Sequence, residues 1–289
     1  MKRFTSFFIL FVFIACSKGG DGDNPTTNVE TEDPVVVNPN APFNSLGVAT
    51  SANGDFSTLV WSDEFDQDGR PNPENWFHET VGPNNGSWWN NEFQHYTDRE
   101  VNSYVDNGSL KIVALREDYD GKLYTSARMI TKDLFTFKYG RLDVRAKLPV
   151  GEGTWPAIWM LGENIDIFSW PACGEVDLME HGNKDPGIVS AAVHLPNSNG
   201  DHYYLSNELQ IENEATVYHT YSVEWTPSKL DFYVDDVLFH NFIITPEMPF
   251  RKPFFIILNV AMGGQFTGNF VDPEFISGTM EVDYVRLYQ

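Results

Sequence analysis

The sequence predicts an all-β fold, a sandwich of two antiparallel sheets with one face curved enough to form a cleft. Two observations carry this. From about Asp55 onward, short runs of β-branched and aromatic residues alternate with clusters of Gly, Asn, Asp and Pro, and no long 3.6-residue periodicity appears. Ser109-Leu110-Lys111-Ile112-Val113-Ala114, Arg141-Leu142-Asp143-Val144-Arg145-Ala146 and Lys229-Leu230-Asp231-Phe232-Tyr233-Val234 read as strands, and Val234-Asp235-Asp236-Val237 as a hairpin turn. With 289 residues, 42% of them hydrophobic, the chain supports one large core, so one domain plus a tail is the simplest organisation.

The first element is a leader. Lys2 and Arg3 precede an apolar run from Phe4 to Ala15, too short to span a bilayer and charged as a secretory signal is. Phe13-Ile14-Ala15-Cys16 resembles a bacterial lipobox, which assigns residues 1–15 to a signal peptide and Cys16 to lipidation; ordinary cleavage beside an incidental cysteine is the alternative. Residues 16–54 are rich in Gly, Asp, Asn, Pro and Thr and read as a flexible tether. The Gly19–Asp23 stretch resembles the acidic tracts of surface lipoproteins in some Gram-negative bacteria. The expectation is an exported protein, lipid-anchored to the outer membrane, with its folded domain over 55–289.

The bulk charge narrows the partners. A formal net charge of −22 repels nucleic-acid phosphates and anionic headgroups and suits a neutral partner, with membrane contact only through the anchor. Aromatic residues make up 15% of the chain, including 8 Trp and 12 Tyr, and such flat rings suit the apolar faces of sugars as well as a core. Of the two cysteines, Cys16 and Cys173, one lies in the leader, so no intrachain disulfide is expected and Cys173 reads as a buried apolar filler. The chain is expected to act as a monomer.

The chemistry concentrates in Gly174-Glu175-Val176-Asp177-Leu178-Met179-Glu180-His181, where three carboxylates thread an apolar strand. Burying acids is costly, which points to a functional site; a calcium site or a solvated acidic edge is the alternative. Strand alternation puts Glu175 and Asp177 on one face and Glu180 on the other. A β-bulge at Leu178 or Met179 would return Glu180 to the face of its partners. The two Glu Cα atoms would then lie roughly 13 Å apart along the strand. Side chains leaning together leave about the 5–5.5 Å that a retaining glycosidase needs, rather than the ~6.5–9.5 Å of an inverting one.

With these acids the domain resembles glycoside hydrolase family 16, and within it the laminarinase-like β-1,3-glucanases. The resemblance covers nearly all of 55–289. It rests on the acid strand and on Trp61-Ser62-Asp63-Glu64-Phe65, Asn90–Thr97, Ser126-Ala127-Arg128, Tyr139-Gly140-Arg141, Trp155–Leu161 and Val282-Asp283-Tyr284-Val285-Arg286. It implies a β-jelly roll whose concave sheet binds a β-glucan. Glu175 would be the nucleophile, Glu180 the general acid and then base, and Asp177 the residue that orients Glu175. No catalytic cofactor is implied. Asn91, Arg128, Trp155, Trp159, Trp170 and His194 match substrate-binding positions. Core packing is the alternative for the tryptophans and for His194, and an acid-paired structural role for Arg128. Trp155 and Trp159 share strand parity, so one face can present both rings. A structural Ca²⁺ on the convex side would be held by Glu64, the Gly108 carbonyl and Asp283. Many relatives carry Trp and Pro where this chain has Phe266 and Thr267, which bears on linkage preference.

The activity expected is a retaining endo-β-1,3-glucanase acting on laminarin-type and mixed-linked β-1,3-1,4 glucans. A family-16 galactanase of the agarase or carrageenase type and a non-catalytic β-glucan-binding protein are the other readings. The three acids weigh against the binder, and the acidic chain against sulfated substrates.

Overall fold

A computed structural model describes residues 48–50, 55–182 and 185–289. The leader, Cys16 and most of the tether lie outside the described residues. The domain contains two sheets dominated by antiparallel pairing, the expected jelly-roll sandwich. One sheet runs in the order Val48–Thr50, Thr136–Lys138, Phe254–Met262, Thr154–Gly162, Glu175–His181, Ile188–Pro196, His202–Gln210, with Arg128–Ile130 and Phe77–His78 paired off this path. The other runs Val237–Ile243, Lys229–Val234, His219–Trp225, Gly140–Lys147, Ser277–Tyr288, Ser109–Tyr119, Lys122–Ser126, Gln94–Tyr96, with Leu59–Asp63 and Ser103–Asp106 at its flanks. Among the described residues, one short 3₁₀ turn, Glu163–Asp166, is the only helix.

The period-2 pattern explains the packing. Gly140–Lys147 alternates buried and half-buried residues along its length, with Leu142, Val144 and Ala146 in the core. By contrast, all nine residues of Phe254–Met262 are buried, as a central strand covered on both faces requires. Its Ile256, Leu258 and Val260 enter the core between the sheets. Ile257 and Phe255 join Ile130, Leu161 and the fully buried Cys173 in a smaller cluster on the opposite face. Cys173 is thus the filler the sequence indicated, and burial pushes its thiol up to about 11.

The hairpin at Asp235-Asp236 forms as expected: both residues have positive φ (49° and 62°), and Val234 pairs Val237 across the turn. Two expectations change. Val48–Thr50, placed in the tether, forms a parallel strand with Thr136–Lys138, so ordered pairing begins before residue 55. The second concerns calcium. Both oxygens of Glu64 accept from Arg286, at 2.9 and 2.7 Å, and Asp283 accepts from Arg145 at 2.5 Å. Gly108, with φ +72°, serves the turn between Ser103–Asp106 and Ser109–Tyr119. Two guanidiniums already supply the positive charge an ion would bring, and the Arg286 contact holds Glu64 below its ordinary pKa. As placed, these residues do not fit a calcium shell.

Candidate active site

The acid strand Glu175–His181 is entered through Gly174, whose φ is +82°. A Cβ there would lie 2.9 Å from the Pro249 ring and 3.0 Å from Phe254, so both the backbone conformation and the space demand glycine. The strand then breaks its own period. Against Thr154–Gly162, Ile158 pairs Met179 while the next residue, Trp159, pairs Asp177, which leaves Leu178 without a partner. Against Ile188–Pro196 the register also shifts between Asp177, paired with Ala192, and Glu180, paired with Ser190. Consecutive residues Leu178 and Met179 both enter the core, at 1% and 0% exposure. That is the bulge the spacing of the acids required, and it returns Glu180 to the face of Glu175 and Asp177.

The neighbouring strands complete the site. Trp155 and Trp159 project on this same face. The Trp155 indole donates to Glu180 Oε1 at 3.0 Å and that of Trp159 to Asn259 Oδ1 at 2.7 Å. Opposite Glu180 stands Ala157, a small side chain. His194 lies directly across from Glu175, its Nε2 3.1 Å from Asp177 Oδ2 and 3.7 Å from Glu175 Oε1. Trp170 stays 43% exposed beside it, with ring centroids 6.2 Å apart. His194 and the three tryptophans therefore surround the acids, and Trp159 also packs against the smaller apolar cluster.

Electrostatics follows from burial. Desolvation pushes Glu175 and Asp177 well above the ordinary carboxylate range, and the neighbouring charge of Asp177 pushes Glu175 further. Glu180 is pushed up to about 8 by burial and then by Asp177, while His194 and the Trp155 N–H act in the other direction. Three crowded carboxyls cannot all ionise at neutral pH and share protons as a set. A site with one carboxylate and at least one carboxylic acid side by side can attack a carbon while protonating a leaving oxygen.

Arg128 takes the acid-paired structural role. It is ion-paired with Glu79 at 2.5 Å, and its guanidinium lies over the rings of Trp159 (4.6 Å) and Trp88 (5.0 Å). It acts on the site through Trp159, which it holds in place. Asn91 is exposed with φ +60°. It lies on a loop tied to the Gly263–Gln265 turn by the Glu92–Gly263 bridge and by the Gln265 N–H donating to Asn90 O at 2.8 Å.

Several residues of the site went unread in the sequence. Asn259 accepts from Trp159 and donates to Tyr96 Oη at 3.1 Å; Tyr96 donates to Glu92, which also accepts from Gln94. This chain of polar groups starts at the Trp159 indole and ends at Glu92, which burial raises. A lone amide in Phe254-Phe255-Ile256-Ile257-Leu258-Asn259-Val260-Ala261-Met262 was the available signal. Phe266, where the sequence departs from many relatives, stacks on Trp155 with centroids 4.9 Å apart and planes 8° from parallel.

Comparison with known proteins agrees with this geometry. The chain is 40% identical to a beta-glucanase of Rhodothermus marinus over 84% of this chain and 89% of that protein. It is 35% identical to glucan endo-1,3-beta-glucosidase A1 of Niallia circulans over 88% of this chain, which spans 42% of that protein. Among solved structures, LamA of Z. galactanivorans in complex with laminaritriose and laminaritetraose superposes with a TM-score of 0.76 at 41% identity, covering 81% of this chain and 100% of that one. Residues 85–286, which include the bulged acid strand and its neighbours, match the model for glycosyl hydrolases family 16, and the chain belongs to that family.

Proposed function

We propose that this protein is a retaining endo-β-1,3-glucanase that cleaves laminarin-type glucans, and mixed-linked β-1,3-1,4-glucans as well. The observation that carries the proposal is the bulge at Leu178-Met179, which sets Glu175, Asp177 and Glu180 on one face among tryptophans. The relatives named for β-glucanase activity, and the similar structure holding laminarin oligosaccharides, support a β-glucan as the substrate.

In the first step the Glu175 carboxylate attacks the anomeric carbon. The glycosidic C–O bond breaks, and the Glu180 proton passes to the departing oxygen, leaving a glycosyl ester on Glu175 and a Glu180 carboxylate. In the second step Glu180 takes a proton from water, the hydroxide oxygen bonds to the anomeric carbon, and the ester opens to regenerate Glu175. Asp177 stays between them. Its protonation state decides how much negative charge Glu175 feels. Trp155, Trp159 and Trp170 offer flat apolar faces to sugar rings, and Arg128 fixes Trp159 from below. No step calls for a metal.

The same proposal keeps the enzyme outside the cytoplasm, tethered through a lipidated Cys16; the charged and apolar order of residues 2–16 supports it. Release of reducing sugar from laminarin by the wild-type chain, and its loss in Glu175→Gln and Glu180→Gln, tests the catalytic part. A wild type inactive on laminarin and on mixed-linked glucan overturns it. Acyl labelling that disappears in Cys16→Ser tests the anchor.

A further inference from the structure

His202 opens the edge strand His202–Gln210, beyond the residues given a role so far. Its ring and that of His194 lie 7° from parallel with centroids 5.1 Å apart, and His194 Nδ1 sits 2.8 Å from His202 Nε2. Nearly parallel planes with so short a nitrogen-to-nitrogen distance describe an edge-to-edge contact, an N–H···N hydrogen bond. Such a bond holds one proton: one imidazole donates and the other accepts. The far nitrogen of His194, Nε2, lies 3.1 Å from Asp177 Oδ2, which no hydrogen bond satisfies, and 3.7 Å from Glu175 Oε1. His202 is itself held by the Trp170 ring at 4.4 Å and by Tyr204 at 5.7 Å.

We propose that His202 is a positioning residue for the hydrolysis, acting through His194 to keep the His194 Nε2–H beside Asp177 and Glu175 in either charge state of His194. The proposal rests on the glucanase reading. When His194 is neutral, His202 Nε2–H donates to His194 Nδ1, which fixes the other proton on His194 Nε2. When His194 takes up a proton, its Nδ1–H donates to His202 Nε2, and His202 carries its own proton on Nδ1. The exposed His202 ring exchanges that proton with solvent. The relay thus lets the acid cluster gain or lose positive charge without turning the His194 ring. Burial and the neighbouring His194 both hold the His202 pKa below its ordinary value, so His202 is neutral and free to accept at neutral pH.

The titratable groups in this environment are His194 and Tyr204, each in ring contact with His202, Asp201 next to it in the chain, and Glu175, Asp177 and Glu180 beyond His194. A pH profile therefore reads the relay and the acids together, and two variants separate them. His202→Phe keeps a flat ring against Trp170 and Tyr204 but can neither donate nor accept. His202→Asn restores a donor and an acceptor.

The experiment measures kcat and KM on laminarin from pH 4 to 9 for wild type, His202→Phe and His202→Asn, and the ¹⁵N imidazole shifts of His194 in the same proteins. The expected result for His202→Phe is a kcat about tenfold lower with KM within about twofold of wild type. Its pH profile is displaced, and His194 is a mixture of tautomers. His202→Asn is expected to recover most of kcat and a single His194 tautomer. Wild-type kcat, pH profile and His194 tautomer in His202→Phe would overturn the proposal, as would a loss confined to KM. The ¹⁵N spectra do not depend on turnover. An inactive wild type with a single His194 tautomer that His202→Phe disperses would therefore refute the glucanase reading, while the unchanged tautomer in His202→Phe would refute the relay.

Discussion

The indole N–H of Trp155 donates to Glu180 Oε1 at 3.0 Å, and one face of its ring system is stacked by Phe266. One tryptophan thus links the Phe266 ring to the protonation of the proposed acid. The bond favours ionised Glu180, against the burial that raises it. Replacing Trp155 with Phe keeps the stacking surface and removes the donor. Glu180 should then hold its proton more strongly, and the alkaline limb of the kcat/KM profile should move to higher pH, while maximal activity falls roughly tenfold or more. A limb that stays in place would show that Glu180 does not set it.

Burying the acids has a stability cost with a definite sign. For Glu180 the folded value of about 8 lies above the unfolded one of 4.5, so between these pH values the folded chain binds more protons than the unfolded chain. Stability from this group is complete below the unfolded pKa and is lost as pH rises through the folded one. Glu180→Gln cannot ionise. It should match wild type near pH 4.5 and exceed it by roughly 1–3 kcal/mol at pH 8, read from urea denaturation at the two pH values. Equal stability at both would mean that the Glu180 charge is well solvated.

Deleting Leu178 removes the residue that has no partner on Thr154–Gly162. If the strand closes up in regular register, Glu180 stands four residues from Glu175 and stays on its face without a bulge. Activity on laminarin should then persist wherever the variant folds, and a folded variant without turnover would show that the Leu178 bulge itself sets the spacing of the acids. Leu178→Ala, which costs about 2–5 kcal/mol of folding stability but keeps the bulge, should retain turnover below its unfolding temperature. Circular dichroism on both variants separates loss of fold from loss of site.

These residues also show how far the sequence reached. The bulge was legible because three acids at an odd spacing conflict with strand alternation, and only an inserted residue reconciles them. The shared face of Trp155 and Trp159 followed from parity alone. Asn259 and Glu92 were not legible as partners, since Asn259 belongs to a strand brought alongside by pairings over a hundred residues apart, such as Asn259 with Arg128. The His194–His202 contact depends on the register of an edge strand, which alternation does not specify. Val48-Ala49-Thr50 pairs in parallel with a distant partner, and a three-residue run carries too little pattern to announce that.

The guanidinium contacts of Glu64 and Asp283 make a prediction about metal. A calcium ion held at a hundred times its dissociation constant would add about 2.7 kcal/mol, worth several degrees in Tm for a domain of this size. With Arg286 and Arg145 in place of the ion, excess chelator should move Tm by less than about 1 °C. A fall of several degrees, restored by calcium, would show that the two arginines yield their carboxylates to a metal.

In the proposed mechanism the bulged strand sets up attack by Glu175 and proton donation by Glu180 on one face of the sheet. Proton NMR of the first products released from laminarin tests it most directly, because double displacement preserves the anomeric configuration. The β anomer should appear first, and the α anomer should grow in only by mutarotation. An initial burst of the α anomer would contradict it.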